Sequence, residues 1–287
     1  VLRMITCCSP GWIKYCETFH PDFIPNLSSC KSPHEMEGAI IKSYFAEKNG
    51  IDPKKIVVVS VMPCTAKKFE RARPELSVDG LADVDVVITT RELGRMIKQA
   101  GIDFPNLPEG DFDDMLGDST GAGVIFGATG GVMEAALRTA YEAVTGKTLE
   151  DVDFAACRGI AGVKEATIDL NGTPISIAVT SSTGLAGMLL DQVREGKKNY
   201  TFIEVMGCPG GCVNGGGQPI VTVEQREKTD PRVLRAKALY REDANKAIRK
   251  SHENPSIKKL YAEFLEKPNS HKAHHLLHTH YAKRDKY

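Results

Sequence analysis

The chain has 287 residues, of which 41% are hydrophobic and 26% charged, and its 37 basic residues balance its 37 acidic ones. This composition is typical of a soluble globular protein, and the zero net charge excludes the basic surface expected of a nucleic-acid-binding or membrane-binding protein. No apolar run approaches the roughly 20 residues of a transmembrane helix, so we predict no membrane span.

The predicted elements alternate between strands and helices. Short β-branched runs predict strands at 54–61, 84–90, 153–160, 175–182 and 200–208. Helical periodicity predicts helices at 91–101, 129–146, 184–195 and 256–265, and the histidine-rich end of the chain is also expected to be helical. We therefore predict an α/β fold of mostly parallel sheets flanked by helices. Residues 1–240 are expected to form the main domain, and residues 241–287 a helical extension packed on it.

The cysteines fall into two groups. Eight cysteines are too few for a disulfide scaffold in a chain of this length. Cys64 follows the strand at 54–61, and Cys208 and Cys212 follow the last strand. Since ligands of open parallel sheets bind outside the carboxyl ends of the strands, these thiols are expected to meet at one metal site. Three others are interpreted as buried free thiols: Cys16, Cys30 and Cys157.

The stretch MGCPGGCVNGGGQP, residues 206–219, combines a close cysteine pair with a glycine-rich backbone. Zinc is one interpretation, but structural zinc sites usually present two close cysteine pairs, and only one pair is close here. An iron–sulfur cluster also takes four thiolates and is tuned by backbone N–H groups. Glycines expose such groups and let a ligand approach the main chain, so the pattern favours the cluster.

Three cysteine-containing segments resemble the cluster-binding loops of the iron-only (diiron, FeFe) hydrogenases. MITCCSPGW (4–12) resembles their first loop, MPCTAKKFE (62–70) matches their second, and EVMGCPGGCVNGGGQP (204–219) is similar to their third. NLSSCKSP, DVVITTREL and SGAGVIFGATGGVMEAALR are also similar, and the resemblance extends over residues 4–283. It implies the C-terminal catalytic domain of an iron hydrogenase, incomplete at its N-terminus.

The resemblance implies a six-iron H-cluster, in which a 4Fe–4S cubane is joined through a cysteine sulfur to a diiron unit with CO, cyanide and a dithiolate bridge. By matching motif positions, it implies Cys64, Cys208 and Cys212 as cubane ligands, with Cys212 also bridging to the diiron unit. It further implies that Lys67 hydrogen-bonds a cyanide, an anion that would offset the cost of burying an ammonium group. Other residues are implied to line the diiron pocket: Ser32, Pro33, Met62, Phe126 and Met206.

The first loop departs from the family pattern. The family has Thr-Ser-Cys-Cys-Pro, whereas this chain has Thr6-Cys7-Cys8-Ser9-Pro10. Strict register places Ser9 at the fourth cubane ligand and Cys8 at the thiol that passes protons to the bridge amine. Because thiolate suits cubane iron better than a serine oxygen, we expect a local adjustment that makes Cys8 the ligand and leaves Cys7 or Ser9 near the amine.

The proton path implied by the resemblance is also altered. In this chain it would run from Cys7 or Cys8 through Glu70 to Ser28, and the family's upstream acid is missing. His34 stands where the family usually has Gln. A histidine there either donates a hydrogen bond or titrates near neutral pH, and a passive polar neighbour is the alternative.

These features predict a cytoplasmic enzyme that reversibly oxidises H2 and reduces protons. The resemblance implies partners: ferredoxin or NAD(P)H-coupled subunits as electron carriers, N-terminal iron–sulfur domains missing from this sequence, and maturation proteins. One alternative is a non-catalytic relative that acts in H2 sensing or in cytosolic iron–sulfur assembly. Another is an incomplete fragment that binds only a 4Fe–4S cluster. The intact second and third loops speak against assembly, whereas the altered first loop leaves sensing open.

Overall fold

The structure is a computed structural model that describes residues 4–170 and 172–286. The strands are β1 (Met4–Ile5), β2 (Val59–Met62), β3 (Ser77–Val78), β4 (Leu81–Ala82), β5 (Val86–Thr89), β6 (Val163–Leu170), β7 (Thr173–Ser181) and β8 (Phe202–Met206). They form a four-stranded sheet in the order β1-β8-β7-β6 and two two-stranded sheets, β2-β5 and β3-β4.

Helices surround the sheets. The α-helices are α1 (Pro10–Phe19), α2 (Pro33–Ile40), α3 (Ala46–Asn49), α4 (Lys67–Glu70), α5 (Thr90–Gln99), α6 (Gly121–Val124), α7 (Gly131–Thr145), α8 (Thr183–Arg194), α9 (Val223–Lys228), α10 (Pro231–Asn245), α11 (Pro255–Leu260) and α12 (His271–Leu277). A π-helical turn joins α2 to α3, and another extends α11. Among the residues described, no helix is long and apolar enough to cross a membrane.

The pairing of the strands confirms the predicted α/β class. β8 is parallel to both β1 and β7, and β2 is parallel to β5, while β6 runs antiparallel to β7. The main core lies where α1 and α8 cover the four-stranded sheet, with Trp12, Ile203 and Leu190 fully buried. Two helices near the site begin at residues that favour a helix start. Pro33 occupies the first turn of α2, and a Thr89–Glu92 capping box starts α5.

Two predicted strands differ from the structure. The prediction of a strand at 153–160 is wrong, because this segment forms a 3-10 turn at Ala155–Cys157 and Arg158 turns its side chain to the buried Glu134. The strand that pairs with β7 comes later, at Val163–Leu170, and the Asn-Gly that follows it in the sequence is a hairpin signal. The strand predicted at 54–61 begins only at Val59, since Pro53–Lys55 forms a 3-10 turn.

The C-terminal segment is helical and packs beside the first cysteine loop. Its backbone bonds the segment that precedes α2: Lys31 N donates to Leu277 O at 2.8 Å, and Thr279 N donates to Ser29 O at 2.7 Å. The predicted domain boundary at 240/241 lies inside α10, and the division of the chain at this point stays a prediction.

Candidate metal centre

All three cysteine loops leave the carboxyl ends of parallel strands. Ile5 of β1 lies beside Ile203 of β8, so the first and third loops emerge from the same edge of the four-stranded sheet. Thr6 fixes the first loop there, because its hydroxyl accepts a hydrogen bond from Val205 N at 3.0 Å and its carbonyl accepts one from Trp12 Nε1 at 3.0 Å. The second loop follows β2 in the other parallel pair.

The glycines of the third loop allow close packing between loops. A Cβ atom on Gly215 would lie 2.0 Å from the carbonyl oxygen of Pro63 in the second loop. Gly211 has a φ of +93°, and a Cβ atom there would lie 2.7 Å from Thr129 N. The sequence analysis assigned these glycines to the close approach of a ligand. At Gly211 and Gly215 it is protein backbone that approaches, and this packing holds the cysteine loops together.

A buried glutamate that the sequence analysis missed anchors the third loop. Glu204 lies on β8 and is fully buried. Its carboxylate accepts hydrogen bonds from Gly130 N at 2.6 Å and from Met133 N at 2.7 Å, at the start of α7. Burial raises the pKa of this group, and the backbone hydrogen bonds oppose that shift. The sequence signal that could have identified it is a glutamate within an otherwise apolar strand, FIEVM.

The thiols of the second and third loops influence one another electrostatically. Burial raises the pKa of Cys212 to about 11; Lys67 opposes this shift, and the charges of Cys64 and Cys208 add to it. Among the described residues, no three cysteine sulfurs lie within 4.8 Å of one another. A tetrahedral zinc ion with Zn–S bonds near 2.3 Å would hold its sulfurs about 3.8 Å apart. As placed here, the described cysteine sulfurs are therefore not arranged to hold a single zinc ion.

Lys67 is buried next to the first loop. Its ammonium donates to Glu70 Oε2 at 2.7 Å and to the Cys8 carbonyl at 3.1 Å. Glu70 therefore supplies the anion that a buried ammonium requires, so the burial of Lys67 does not by itself call for a cyanide. These two contacts engage two of the three N–H groups of the lysine.

A cavity of about 140 Å³ brings five predicted site residues together: Cys7, Cys8, Ser28, Pro33 and Phe126. Met36, Val132 and Phe202 also line it, and nothing in their local sequence pattern marked them. The other predicted lining residues lie elsewhere. Ser32 and His34 contact Glu70, Met62 pairs with Thr89 in the two-stranded sheet, and Met206 is buried at the end of β8.

The candidates in the first loop have different surroundings. Cys7 Sγ donates to Cys30 O at 2.8 Å, and burial raises its pKa to about 11 while hydrogen bonds with Tyr281 and Ser28 lower it. Desolvation raises the pKa of Cys8 far above its ordinary value, and the nearby Lys67 opposes that shift.

Ser9 Oγ instead accepts a hydrogen bond from Gly207 N at 3.0 Å. Gly207 directly precedes Cys208, so this hydroxyl lies beside the third loop.

Residues 1–216 match the family model described as the iron only hydrogenase large subunit, C-terminal domain, and residues 229–284 match that of the iron hydrogenase small subunit. The chain belongs to the iron-only hydrogenase family. The resemblance inferred from the three loops is thereby confirmed.

Individual members of the family and its relatives align with nearly the whole chain. It is 53% identical to the NADP-reducing hydrogenase subunit HndD of Solidesulfovibrio fructosivorans, over 99% of this chain and 48% of that protein. A solved [FeFe]-hydrogenase HydA1 variant from Chlamydomonas reinhardtii has 43% identity and a TM-score of 0.84, over 99% of this chain and 77% of that one. Protein NAR1 of Arabidopsis thaliana is 33% identical, over 98% of this chain and 61% of that protein. The chain thus spans about half the length of the curated hydrogenase HndD.

Iron-only hydrogenases use an H-cluster, and the residues of this chain fit such a group. Cys64 and the Cys208/Cys212 pair lie in two loops that the Gly217 N–Pro63 O hydrogen bond holds together, and their thiols would lose their protons on binding iron. Lys67 lies against the Cys8 carbonyl, and Cys8 also lines the apolar cavity at Pro33 and Phe126. The arrangement provides thiolates, one cation and a largely apolar pocket.

Proposed function

We propose that this chain is the H-cluster domain of a hydrogenase that interconverts H2 with protons and electrons. The observation that carries the proposal is the meeting of three cysteine loops at the carboxyl ends of parallel strands, with Lys67 buried against the first loop. When bound, the H-cluster supplies the splitting and formation of H2 and conducts the electrons through its cubane.

Each part of the site has a proposed task. Cys64, Cys208 and Cys212 hold the cubane, with Cys212 as the bridge to the diiron unit. Lys67 would have one N–H group left for a hydrogen bond to a cyanide of that unit. The apolar cavity at Pro33 and Phe126 limits the access of water, which strengthens electrostatic interactions inside the pocket.

The fourth cubane ligand comes from either Cys8 or Ser9. The sequence analysis prefers Cys8, because thiolate suits iron better than a serine oxygen. The contacts favour the other register: Cys8 lines the cavity with Pro33, whereas Ser9 lies against Gly207, next to Cys208. In that register Ser9 faces the cubane, and the Cys8 thiol faces the diiron pocket as the proton carrier.

An arginine-rich groove supports an acidic protein as the electron carrier. The groove has a volume of about 510 Å³ and is lined by Gly215 and Gly216, which follow Cys212 closely in the chain. Its basic side chains are Arg91, Arg226, Arg232 and Arg235, and its acidic side chain, Asp230, pairs with Arg232 at 2.6 Å. A positive patch beside a redox centre attracts negatively charged carriers. We therefore propose ferredoxin or an NAD(P)H-coupled subunit as the electron-transfer partner. We also propose a cytoplasmic location, with maturation proteins that deliver the diiron unit.

The second candidate function is that of a non-catalytic iron–sulfur protein. The altered first loop favours it, because Ser9 occupies a position where the family has a cysteine, and a weak fourth ligand would yield a poorly occupied or inactive cluster. A protein that is 33% identical over 98% of this chain, Protein NAR1, is not named a hydrogenase.

Anaerobic reconstitution distinguishes the two candidates. The chain is loaded with iron and sulfide, then with a synthetic diiron complex, and H2 evolution is measured with reduced methyl viologen. We expect CO and CN infrared bands together with H2 evolution. A full cubane that gives neither would overturn the proposal and favour the non-catalytic relative.

A further inference from the structure

A buried histidine–carboxylate cluster lies directly behind Lys67. His34 Nε2 is 2.6 Å from Glu70 Oε2 and 3.2 Å from Glu35 Oε1, while His34 Nδ1 is 2.9 Å from Ser60 Oγ. Glu35 is fully buried, and its oxygens make no hydrogen bond among the described residues apart from this approach to His34. The imidazole therefore bridges two buried carboxylates.

The balance of charges in this cluster indicates that it holds a proton. Lys67 pairs with Glu70 at 2.7 Å, and within the described part of the chain His34 is the ion-pair partner of Glu35. An unpaired buried carboxylate is strongly disfavoured, so a proton resides on His34 or on Glu35. Although burial lowers it, the hydrogen bonds with Glu35 and Glu70 raise the pKa of His34 overall.

The spacing of the three groups would also admit a metal ion. A cation would, however, be repelled by the Lys67 ammonium that already lies 2.7 Å from Glu70 Oε2. The same oxygen also accepts a hydrogen bond from Ser32 Oγ at 2.8 Å. The cluster is therefore suited to holding a proton rather than a metal.

Asp83 connects this region to the surface. It is buried, its Oδ2 pairs with Lys31 at 2.7 Å, and its Oδ1 has no hydrogen-bond partner among the described residues. It lines a cavity of about 310 Å³ that ends at Asp79 and His275, whose side chains are 81% and 51% exposed.

Glu35 lies one helical turn before Gly38, on the face of α2 that packs against Asp83. A Cβ atom on Gly38 of α2 would lie 2.3 Å from the Asp83 carbonyl oxygen. Burial raises the pKa of Asp83 to about 6, and the charge of Glu35 adds to this shift. Glu35 and Asp83 thus lie on segments in direct contact, and Asp83 lines the surface cavity.

We propose that Asp83, Glu35 and His34 form a proton path from the surface cavity to Glu70, beside the cluster site. The inference rests on the proposed function, because hydrogen turnover consumes or releases protons at that site. A proton from water in the cavity binds Asp83 and passes through Glu35 to His34 Nε2. With Nδ1–H donating to Ser60, Nε2 then gives the proton to Glu70, which carries it only in transit because, against the effect of burial, Lys67 and His34 lower the pKa of Glu70. No covalent bond between heavy atoms changes and no electrons move.

The test uses His34→Gln and Glu35→Gln in the full chain. Both variants keep a polar side chain of similar size but cannot carry the proton. We expect H2 evolution with reduced methyl viologen to fall by at least about tenfold, with a larger solvent isotope effect in D2O and unchanged iron content and CO and CN infrared bands. The matched control is His252→Gln, which removes a half-buried histidine paired with Glu142 at 2.7 Å and leaves turnover at the parent level. Parent-level turnover in both path variants would overturn the proposal.

A second measurement does not depend on the cluster. In the cluster-free chain, nitrogen NMR of His34 and the infrared band of protonated carboxyl groups locate the proton of the His34–Glu35 pair. We expect either an imidazolium signal for His34 or a carboxyl band that Glu35→Gln removes; finding neither would also overturn the path. A parent chain that makes no H2 contradicts the proposed function, while these two signals still decide whether the pair holds a proton.

Discussion

Two sheets with parallel strands at the site supply its loops, and they differ in how well this chain covers them. In the four-stranded sheet, Ile203 and Val205 are 0% and 1% exposed. On β2 and the residues before it, Val57 and Val59 are 67% and 50% exposed. Parallel sheets are normally covered on both faces. The four-stranded sheet, which carries the third loop, thus has its own core, whereas the sheet that carries Cys64 is only partly buried.

The difference shows how Cys64 is held in place. Gly217 N donates to Pro63 O at 2.9 Å, and Arg91 N donates to Gly217 O at 3.2 Å. These bonds attach the second loop and the start of α5 to the third loop. The well-covered sheet therefore positions the ligands of both regions, and the predictions below compare the two, from the largest expected effect to the smallest.

The largest effect is expected from removing a proposed cubane ligand in either region. Cys64→Ala and Cys208→Ala should both abolish the iron–sulfur absorbance of the reconstituted protein, because a cubane requires thiolates from both loops. The control is Cys157→Ala, which removes a fully buried free thiol away from the three loops and should retain the cluster. Full iron and sulfide content in Cys208→Ala would contradict the assignment.

A selective effect is expected from Lys67, which the partly covered region contributes. Lys67→Asn should leave the cubane intact but prevent retention of the diiron unit, because it removes the cation beside that unit. The measurement is infrared spectroscopy after insertion of a synthetic diiron complex. Lys68→Asn is the matched control, since Lys68 is exposed and pairs with Glu92 at 2.6 Å. CO and CN bands in Lys67→Asn that equal those of the parent would rule out the role.

An intermediate effect is expected in the first loop, which is attached to the well-covered sheet. Ser9→Cys should increase cluster occupancy and H2 turnover, because it places a thiol at the family's ligand position and leaves Cys8 free to carry protons. The measurements are iron content and viologen-linked H2 evolution. Occupancy that does not rise would mean that the fourth ligand is already a thiolate.

Two alanine variants then identify the ligand in the unaltered loop. If Ser9 faces the cubane, as its contact with Gly207 favours, Ser9→Ala lowers iron content while Cys8→Ala keeps the cubane and loses turnover. If Cys8 is the ligand, as thiolate chemistry favours, Cys8→Ala loses the cubane.

The sequence predicted the parts of the molecule in which local pattern and chemistry agree. The apolar runs before Cys64 and Cys208 end at the carboxyl ends of parallel strands, as expected. The strand predicted at 153–160 failed because Arg158 is drawn to Glu134, a partner 24 residues away. β6 was missed because its alternating exposed and half-buried positions lack the apolar run by which the other strands were recognised.

Contacts between distant segments account for what the sequence left open at the site. His34 was identified as unusual, but its partners Glu70 and Ser60 lie 36 and 26 residues away. Nothing in the local sequence of α2 indicated that the imidazole would bridge Glu35 and Glu70. The glycines of the third loop were assigned to a ligand, and only the fold showed that Gly215 packs against Pro63.

The smallest effect concerns the two sheets themselves. Val205→Thr places a hydroxyl in the covered sheet at a position that is 1% exposed, and should lower the free energy of unfolding of the cluster-free chain by about 1–3 kcal/mol. Val59→Thr makes the same change at a position that is 50% exposed, and should alter it by less than about 0.5 kcal/mol. Urea unfolding followed by circular dichroism measures both. Equal losses of stability in the two variants would mean that the valine face of β2 is covered in solution, by a second copy of the chain or by a contact that forms on assembly. The contrast between the two sheets would then not hold.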